Sequence, residues 1–275
     1  MKSFTVGKEQ KLSAFLLDSY NGALNYGAFM KLLRKKDVKI NGARVNKDVT
    51  VYLGDKIDCY YDGEVTFTLT EVYKDDNILI LDKPKNITSE DFEVLVKKTY
   101  PTANLCHRLD RNTDGILCFS LNDDSYEELL TAFKERTVKK YYLAEVYGVF
   151  ENKSDTLTAY LLKNSIESNV KIFNKKVDGA VKIITKYKTL KSSGGTSLIE
   201  VELVTGKTHQ IRAHLAYAGH FIIGDGKYGN VKINSTYKAK SQRLTAYKIV
   251  FELKGKLEYL NGREFKLSRN VYGVN

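Results

Sequence analysis

Apolar positions near the N-terminus repeat twice with helical spacing. Leu12, Phe15 and Leu16 share a face with Ser19, and Tyr26, Phe29, Met30 and Leu33 fall at i, i+3, i+4 and i+7, predicting two short helices. The period then shortens to two. Val38-Lys39-Ile40 alternates and turns at Asn41-Gly42, a dipeptide that supplies the positive φ angles of a tight hairpin, and Val45, Val49, Val51 and Leu53 to Ile57 extend a small curled β unit. Residues 1–62 therefore read as a compact αβ module. From Asp62-Gly63-Glu64 to Thr70 the pattern is polar and aperiodic, which places a linker at 63–70 and a larger domain over 71–275.

In the larger domain, the apolar run Ile78 to Leu81 reads as a buried strand stopped by Pro84. Thr88 with Asp91 offers a capping box for a helix carrying Phe92, Leu95 and Val96. Asn122-Asp123-Asp124 supplies the polar start of a helix with Tyr126, Leu129, Leu130 and Phe133, and Val138 to Gly148 returns to a strand. Residues Glu151 to Lys191 read as strands joined by polar loops, with Ser165 to Asp178 the least patterned stretch. Ser192-Ser193-Gly194-Gly195 is a turn into a strand over Ser197 to Val204, whose apolar side is assigned to Leu198, Val201 and Leu203. Thr205 or Thr208 then caps a helix that presents Ile211 and Leu215 inward and ends at Gly219. Arg243 to Ala246 enters a last strand, and the mixed tail from Leu257 to Asn275 closes the sheet. Alternating strands with few long helices make the fold class α+β.

Charge narrows the partner. Forty-four Lys and Arg against 33 Asp and Glu give a formal net charge of +11, and the isoelectric point of about 9.2 suits a polyanionic ligand such as nucleic acid. Seven cations, from Lys31, Arg34, Lys35 and Lys36 to Lys39, Arg44 and Lys47, face only Asp37. Such a run is either a solvated face or a phosphate-holding one. Cys59, Cys106 and Cys118 form no Cys-x-x-Cys pair, which predicts reduced thiols. His209 and His214 are five apart, splitting them across a helix face, and no carboxylate or cysteine completes a ligand set, so no metal site is expected. With neither a signal peptide nor a run of 18 apolar residues, the expectation is a soluble cytoplasmic protein without a membrane partner.

The stretch least like packing sequence is Cys106 to Leu117, where His107, Arg108, Asp110, Arg111 and Asp114 feed directly into Ile116, Leu117, Cys118 and Phe119. A carboxylate beside a guanidinium stays ionised, so Asp110 could serve as nucleophile or base while the arginines hold phosphate. The same spacing also suits an ordinary surface ion pair. Residue pattern leaves both open.

His107-Arg108-Leu109-Asp110-x-x-Thr113-x-Gly115-Ile116-Leu117 resembles the signature of the RluA-type pseudouridine synthases, with Asp110 at the position of the catalytic aspartate. Three further segments extend the resemblance: Asp82-Lys83-Pro84; Lys140-x-Tyr142-x-Ala144-x-Val146-x-Gly148; and Gly206-Lys207-Thr208-His209-Gln210-Ile211-Arg212 with Gly224-Asp225-x-x-Tyr228-Gly229. Four positions depart from the family's pattern. Asp82 stands for an asparagine, Asp114 for a serine, Lys207 for an arginine and Thr245 for the histidine of a closing Leu-His-Ala. In the first module, the basic helix, the Val-x-Ile-Asn-Gly turn and Leu53-Gly54-Asp55-x-Ile57 resemble the alpha-L RNA-binding motif of ribosomal and tRNA-handling proteins.

The resemblance implies a mixed, mostly antiparallel central sheet that gathers Asp110, Tyr142 and Arg212. It implies isomerisation of uridine to pseudouridine in RNA without a cofactor, by a monomer. Tyr142 stacks on the target base, and Arg212 pairs with Asp110 across the cleft. Arg108, Ile211 and Lys140 are the expected substrate contacts near the chemistry, and Lys31, Arg34, Lys35 and Lys36 hold RNA phosphates. Large-subunit ribosomal RNA is the expected substrate. The alternatives are a tRNA-directed enzyme, a non-catalytic RNA-binding or ribosome-assembly factor, and a hydrolase using Asp114 as second carboxylate.

Overall fold

The computed structural model describes residues 1–20, 24, 26–61, 69–164 and 169–274. Most of the expected linker, residues 63–68, and residues 165–168 of the unpatterned stretch lie outside the described residues. The chain divides into two compact units, one of residues 1–68 with 94–99 and one of residues 69–93 with 100–275.

The first unit contains strands β1 (Lys2–Thr5) and β2 (Gln10–Lys11), helices α1 (Leu12–Ser19) and α2 (Tyr26–Lys35), and strands β3 (Val38–Ile40), β4 (Ala43–Arg44), β5 (Thr50–Val51) and β6 (Lys56–Cys59). Four of these strands form a sheet in the order β1-β6-β3-β4, and β2 pairs with β5. Asn41 (φ 49°) and Gly42 (φ 84°) make the expected turn between β3 and β4. Leu12, Leu16, Phe29, Leu33, Val38 and Ile57 fill the core. The buried face of α2 is Phe29, Leu32 and Leu33, whereas Tyr26, placed on that face by spacing alone, is exposed. Strand β1 was not foreseen, because only Phe4 of its four residues leans toward the core.

The chain continues with β7 (Glu71–Lys74), β8 (Ile78–Lys83), α3 (Ser89–Val96), β9 (Asn104–Leu105), β10 (Asp114–Ser120), α4 (Asp123–Glu135), β11 (Val138–Tyr147), β12 (Ser154–Asn164) and β13 (Asn169–Phe173), all of the second unit except the last turn of α3. It is completed by β14 (Val181–Ser193), β15 (Thr196–Leu203), α5 (Gln210–Tyr217), α6 (Val231–Thr236), β16 (Leu244–Phe251), a 3-10 turn over Gly255–Leu260 and β17 (Glu264–Lys266). One large sheet runs β13-β12-β14-β15-β11-β16-β10-β8-β7, with β17 on β16 and β9 on β10. Among the described strands every pairing is antiparallel except β10 with β16. A mixed, mostly antiparallel sheet is thus observed.

Packing explains the strand sequences. Ile78 to Leu81 and Ile116 to Phe119 are buried on both faces, which is why they read as continuous apolar runs. Ile80, Cys118, Leu143, Ile249 and Phe251 meet Leu129 and Ala132 of α4 in one core. In β15 the inward residues are Ser197, Ile199 and Val201, so the assignment of Leu198 to the apolar side is corrected by one position. Thr88 caps α3 as expected, accepting the Asp91 N–H at 3.0 Å and donating to its carboxylate at 2.7 Å.

Gly115 has a steric reason. Its φ is 113°, and a Cβ there would lie 2.1 Å from the Ala246 carbonyl oxygen across the parallel β10–β16 contact. No side chain fits where these strands first touch.

Candidate active site

Asp110 lies in the loop between β9 and β10, and both flanks of the loop are anchored. On one side the Leu109 N–H donates to Ser89 Oγ at 2.9 Å, and that hydroxyl donates back to the Leu109 carbonyl at 3.1 Å. On the other the Thr113 N–H closes a turn on the Asp110 carbonyl at 3.0 Å, and Gln242 Nε2 donates to Thr113 Oγ1 at 2.6 Å. His107 is structural: its Nε2 accepts the Cys118 N–H at 3.1 Å and its ring stacks on Phe133 at 4.6 Å. Burial pushes this imidazole down to about 3, so it stays neutral.

The guanidinium that meets Asp110 is not one of its neighbours in sequence. Arg108 pairs with Glu90 at 2.5 Å, and Arg111 donates to the Asn86 carbonyl at 3.4 Å. Arg212, on α5, donates through Nη1 to Asp110 Oδ2 at 2.8 Å. The other edge of Arg212 grips Asp225, with Nε–Oδ2 at 2.6 Å and Nη2–Oδ1 at 3.0 Å. Asp225 has no exposed side-chain surface, and its Oδ1 also accepts the N–H groups of Lys227 (2.8 Å) and Tyr228 (3.0 Å). Burial alone would raise its carboxyl, but Arg212 and these two N–H donors outweigh that and hold it below the usual carboxylate range. Burial would likewise lower the Arg212 guanidinium, yet the two carboxylates raise it above its ordinary value. Arg212 is permanently charged and aimed by Asp225 at Asp110.

Helix α5 starts differently from expectation. Neither Thr205 nor Thr208 caps it; the cap residue is His209, in the left-handed region at φ 52° with no side-chain capping bond. Gln210 performs the local satisfaction instead, its Oε1 accepting from Thr205 Oγ1 at 2.9 Å and from the Lys207 N–H at 3.1 Å. The strained backbone turns the His209 ring toward the aspartate, with Nε2 3.9 Å from Asp110 Oδ2. Its Nδ1 lies 2.9 Å from the Tyr228 hydroxyl, which accepts the Val170 N–H at 3.0 Å. Strand β13, which lies within the unpatterned stretch, thereby supports the site.

These groups open into a cleft of about 780 Å³ whose lining includes Arg108, Asp110, Lys140, Tyr142, Ile211 and Arg212. Tyr142 is only 5% exposed. Burial, and then the Asp110 charge, push its phenol well above the ordinary range, so it stays protonated. The Lys140 ammonium sits 5.5 Å from the Phe133 ring centre and 3.3 Å from the point a Cβ on Gly206 would occupy. Burial, reinforced by Arg136, lowers its pKa, and no carboxylate among the described residues is paired with it. It is a half-buried cation available to an anionic or carbonyl-bearing ligand. Lys83, fully buried, donates to the carbonyls of Pro84 and Ile87 at 2.8 and 2.9 Å; burial pushes it down to about 8 against the pull of Asp114, Asp110 and Asp82. Lys31, Arg34, Lys35 and Lys36 belong to the first unit, where all four are exposed on or next to α2.

Sequence reading thus named Asp110, Tyr142 and Arg212 but gave no role to Asp225, His209 or Tyr228. The signal for Asp225 and Tyr228 was present in Gly224-Asp225-x-x-Tyr228-Gly229, where Gly224 (φ 82°) forces the turn: a Cβ there would lie 2.1 Å from the Ser241 carbonyl oxygen.

The fold of this sheet is that of the pseudouridine synthases. The solved structure of Human RNA Pseudouridylate Synthase Domain Containing 1 superposes with a TM-score of 0.60 at 24% identity, over 77% of this chain and 94% of that one. Sequence extends the likeness from fold to family. The profile for RNA pseudouridylate synthase matches residues 77–217, a span holding Asp110, Tyr142 and Arg212, and the chain belongs to that family of isomerases. Among its relatives, Ribosomal large subunit pseudouridine synthase C of Vibrio cholerae serotype O1 is 30% identical over 235 residues, covering 74% of this chain and 72% of the relative. The protein of the same name from Haemophilus ducreyi is 29% identical over 280 residues, covering 90% of this chain and 87% of the relative.

Proposed function

We propose that this chain isomerises uridine to pseudouridine in large-subunit ribosomal RNA, with Asp110 as the catalytic carboxylate. The observation that carries the assignment of Asp110 is its 2.8 Å ion pair with Arg212 in the cleft that Tyr142 also lines. The names of the relatives support the choice of RNA.

The reaction breaks the N1–C1′ bond, joins C5 to C1′, removes the proton from C5 and places one on N1. Atoms and electrons balance within the nucleotide, so no redox partner enters. A stacked uridine must first leave its helix, at a cost of a few kcal/mol, and phosphate contacts offset that cost. The exposed cations Lys31, Arg34, Lys35 and Lys36 of the N-terminal module, taken as residues 1–62, hold the backbone, while Arg108 and Lys140 act at the cleft they line. Tyr142 lies against the extruded base with Ile211 beside it. Asp110, fixed by Arg212, engages the ribose or the uracil ring while the glycosidic bond breaks. The enzyme acts in the cytoplasm, where its substrate is made.

The test uses large-subunit ribosomal RNA tritiated at carbon 5 of uridine, with the parent protein and Asp110→Ala. Tritium released to water by the parent alone, with RNA binding retained in the variant, is the expected result. Release by Asp110→Ala would remove Asp110 from its role. Release from tRNA and not from ribosomal RNA would replace the substrate.

A further inference from the structure

Behind the Asp110 loop lies a second ionic cluster, separate from the Arg212 pair. Asp82, near the end of β8, and Asp114, the first residue of β10, come together because these strands pair in register, with Gly115 opposite Lys83 and Ile116 opposite Asp82. Both carboxylates are nearly buried, with side-chain exposures of 11% and 14%. Two such charges side by side repel and lack water. The bridge between them is Arg269, from the segment after β17: Nε donates to Asp82 Oδ2 at 2.5 Å, and Nη2 donates to Asp82 Oδ1 at 3.2 Å and Asp114 Oδ2 at 2.8 Å. Asp114 also accepts from Thr245 Oγ1 at 2.8 Å, and that hydroxyl lies 3.1 Å from the Tyr272 hydroxyl. Lys85 Nζ is more distant, 3.7 Å from Asp114, and donates to the Gln242 carbonyl at 2.7 Å.

The position of this cluster gives it consequence. Asp114 follows Thr113, whose N–H closes the turn on Asp110 and whose hydroxyl accepts from Gln242. Fixing Asp114 therefore fixes the exit of the loop that carries the aspartate. Asp82, Asp114 and Thr245 are also three of the four positions at which the motifs depart from the family's pattern, and the fold gathers them in one cluster, the two carboxylates on the guanidinium and Thr245 on Asp114.

We propose that Arg269 is a positioning residue for the reaction: by bridging Asp82 and Asp114 it clamps the exit of the Asp110 loop and holds that carboxylate in register with Arg212. This rests on the assignment of Asp110 above. Arg269 touches no reacting atom. Its effect falls on turnover more than on RNA affinity, and a point charge in its place restores only part of it, because an ammonium cannot fork across two carboxylates.

The experiment compares the parent, Arg269→Ala, Arg269→Lys, and Arg269→Ala combined with Asp82→Asn and Asp114→Asn. Tritium release gives kcat and KM, and hydrogen exchange of the peptide over 106–113 reports loop order without requiring turnover. For Arg269→Ala the expected result is a fall in kcat of about tenfold or more, with KM within about twofold and loop exchange about tenfold faster. Arg269→Lys should recover part of each, and neutralising both aspartates should restore loop protection and most of kcat. An Arg269→Ala enzyme with parental kcat and parental exchange over 106–113 overturns the clamp. So does a loss that the two asparagines fail to reverse, since the bridged charges would then not be its cause. If the parent releases no tritium from any RNA, the assignment of Asp110 fails, and the exchange data decide the clamp alone: faster loop exchange in Arg269→Ala upholds it, unchanged exchange refutes it.

Discussion

Removing Asp225 strands a guanidinium in a site built to hold it between two carboxylates. Arg212 has about a tenth of its side chain exposed and Asp225 none. Breaking a buried pair of this kind costs about 3–5 kcal/mol, because the surviving guanidinium keeps its desolvation, loses its two-bond partner and retains only the single bond to Asp110. The larger unit spans roughly 200 residues; at about 2.1 cal/mol/K per residue its unfolding entropy is about 0.4 kcal/mol/K, so Asp225→Ala should lower its Tm by about 7–12 °C. Arg212→Ala strands two carboxylates instead and should be similarly costly. The double variant removes both halves of the main pair, so its loss should fall short of the summed single losses by about 2–3 kcal/mol. Urea unfolding of the four proteins measures this coupling. Asp225→Asn keeps the shape and one acceptor; losing a charge-assisted bond worth about 1.5–3 kcal/mol should slow turnover about 10- to 100-fold if Arg212 aims Asp110. Single losses that add to within about 0.5 kcal/mol, or an Asp225→Ala protein melting at the parental temperature, would refute the reasoning.

Three further outcomes follow from other parts of the larger unit. Burial lowers His107 to about 3 and His214 to about 4 from an ordinary 6.5. The unfolded chain therefore binds more protons below pH 6.5, and stability present above that pH is lost as pH falls toward 4; at pH 4.5 each histidine costs about 2.5 kcal/mol, and a His107→Gln protein with an undiminished acid slope in urea midpoints would contradict this. Gly115→Ala forces a methyl into the Ala246 carbonyl at positive φ and should cost at least about 3 kcal/mol or prevent folding, read by circular dichroism and expression; a parental Tm would show the strand contact to be looser than described. Lys140→Ala should weaken RNA binding and reduce the slope of log affinity against log salt by about 1, and an unchanged slope would argue against a phosphate contact there.

Sequence pattern carried the elements whose environment is uniform. Strands β8 and β10 are buried on both faces, so their apolar runs were visible, and the β3–β4 hairpin announced itself through Asn41-Gly42. It failed where structure is set by a distant partner. The spacing of Asp110 between Arg108 and Arg111 suggested local ion pairing, yet those arginines turn to Glu90 and the Asn86 carbonyl, and the partner comes from a hundred positions further on. Motif resemblance gave Arg212 a role but gave none to Asp225, the carboxylate that aims it, since a charge buried by tertiary contacts looks in sequence like any surface aspartate. The start of α5 was missed for a related reason. Thr205 and Thr208 are good caps by type, but Thr205 is committed to Gln210 and the Ile184 N–H, and the left-handed backbone at His209 has no signature in composition.

The meeting of Asp110, Tyr142 and Arg212 follows from register across the middle of the sheet. Gly115 of β10 stands beside Ala246 of β16, Ala246 beside Tyr142 of β11, and Tyr142 beside Val201 of β15. One row across four strands thus links the glycine after the aspartate loop, the cleft tyrosine, and the strand that leads into α5 and Arg212. The row exists only because β11 and β16 slip: Tyr141 faces Lys248 while Tyr142 faces Ala246, leaving Tyr247 as the extra residue of a bulge. A bulge re-aims the side chains on either side of it, and without this one every pairing beyond Tyr142 would shift by one residue and reverse its face. Strict alternation read along β11 alone could therefore mark Tyr142 as a strand residue, but its place beside the aspartate loop depends on the irregular pairing with a strand a hundred residues later. The geometry of the candidate site is a property of the sheet's central register, and the motifs are the parts of the chain that this register brings into one row.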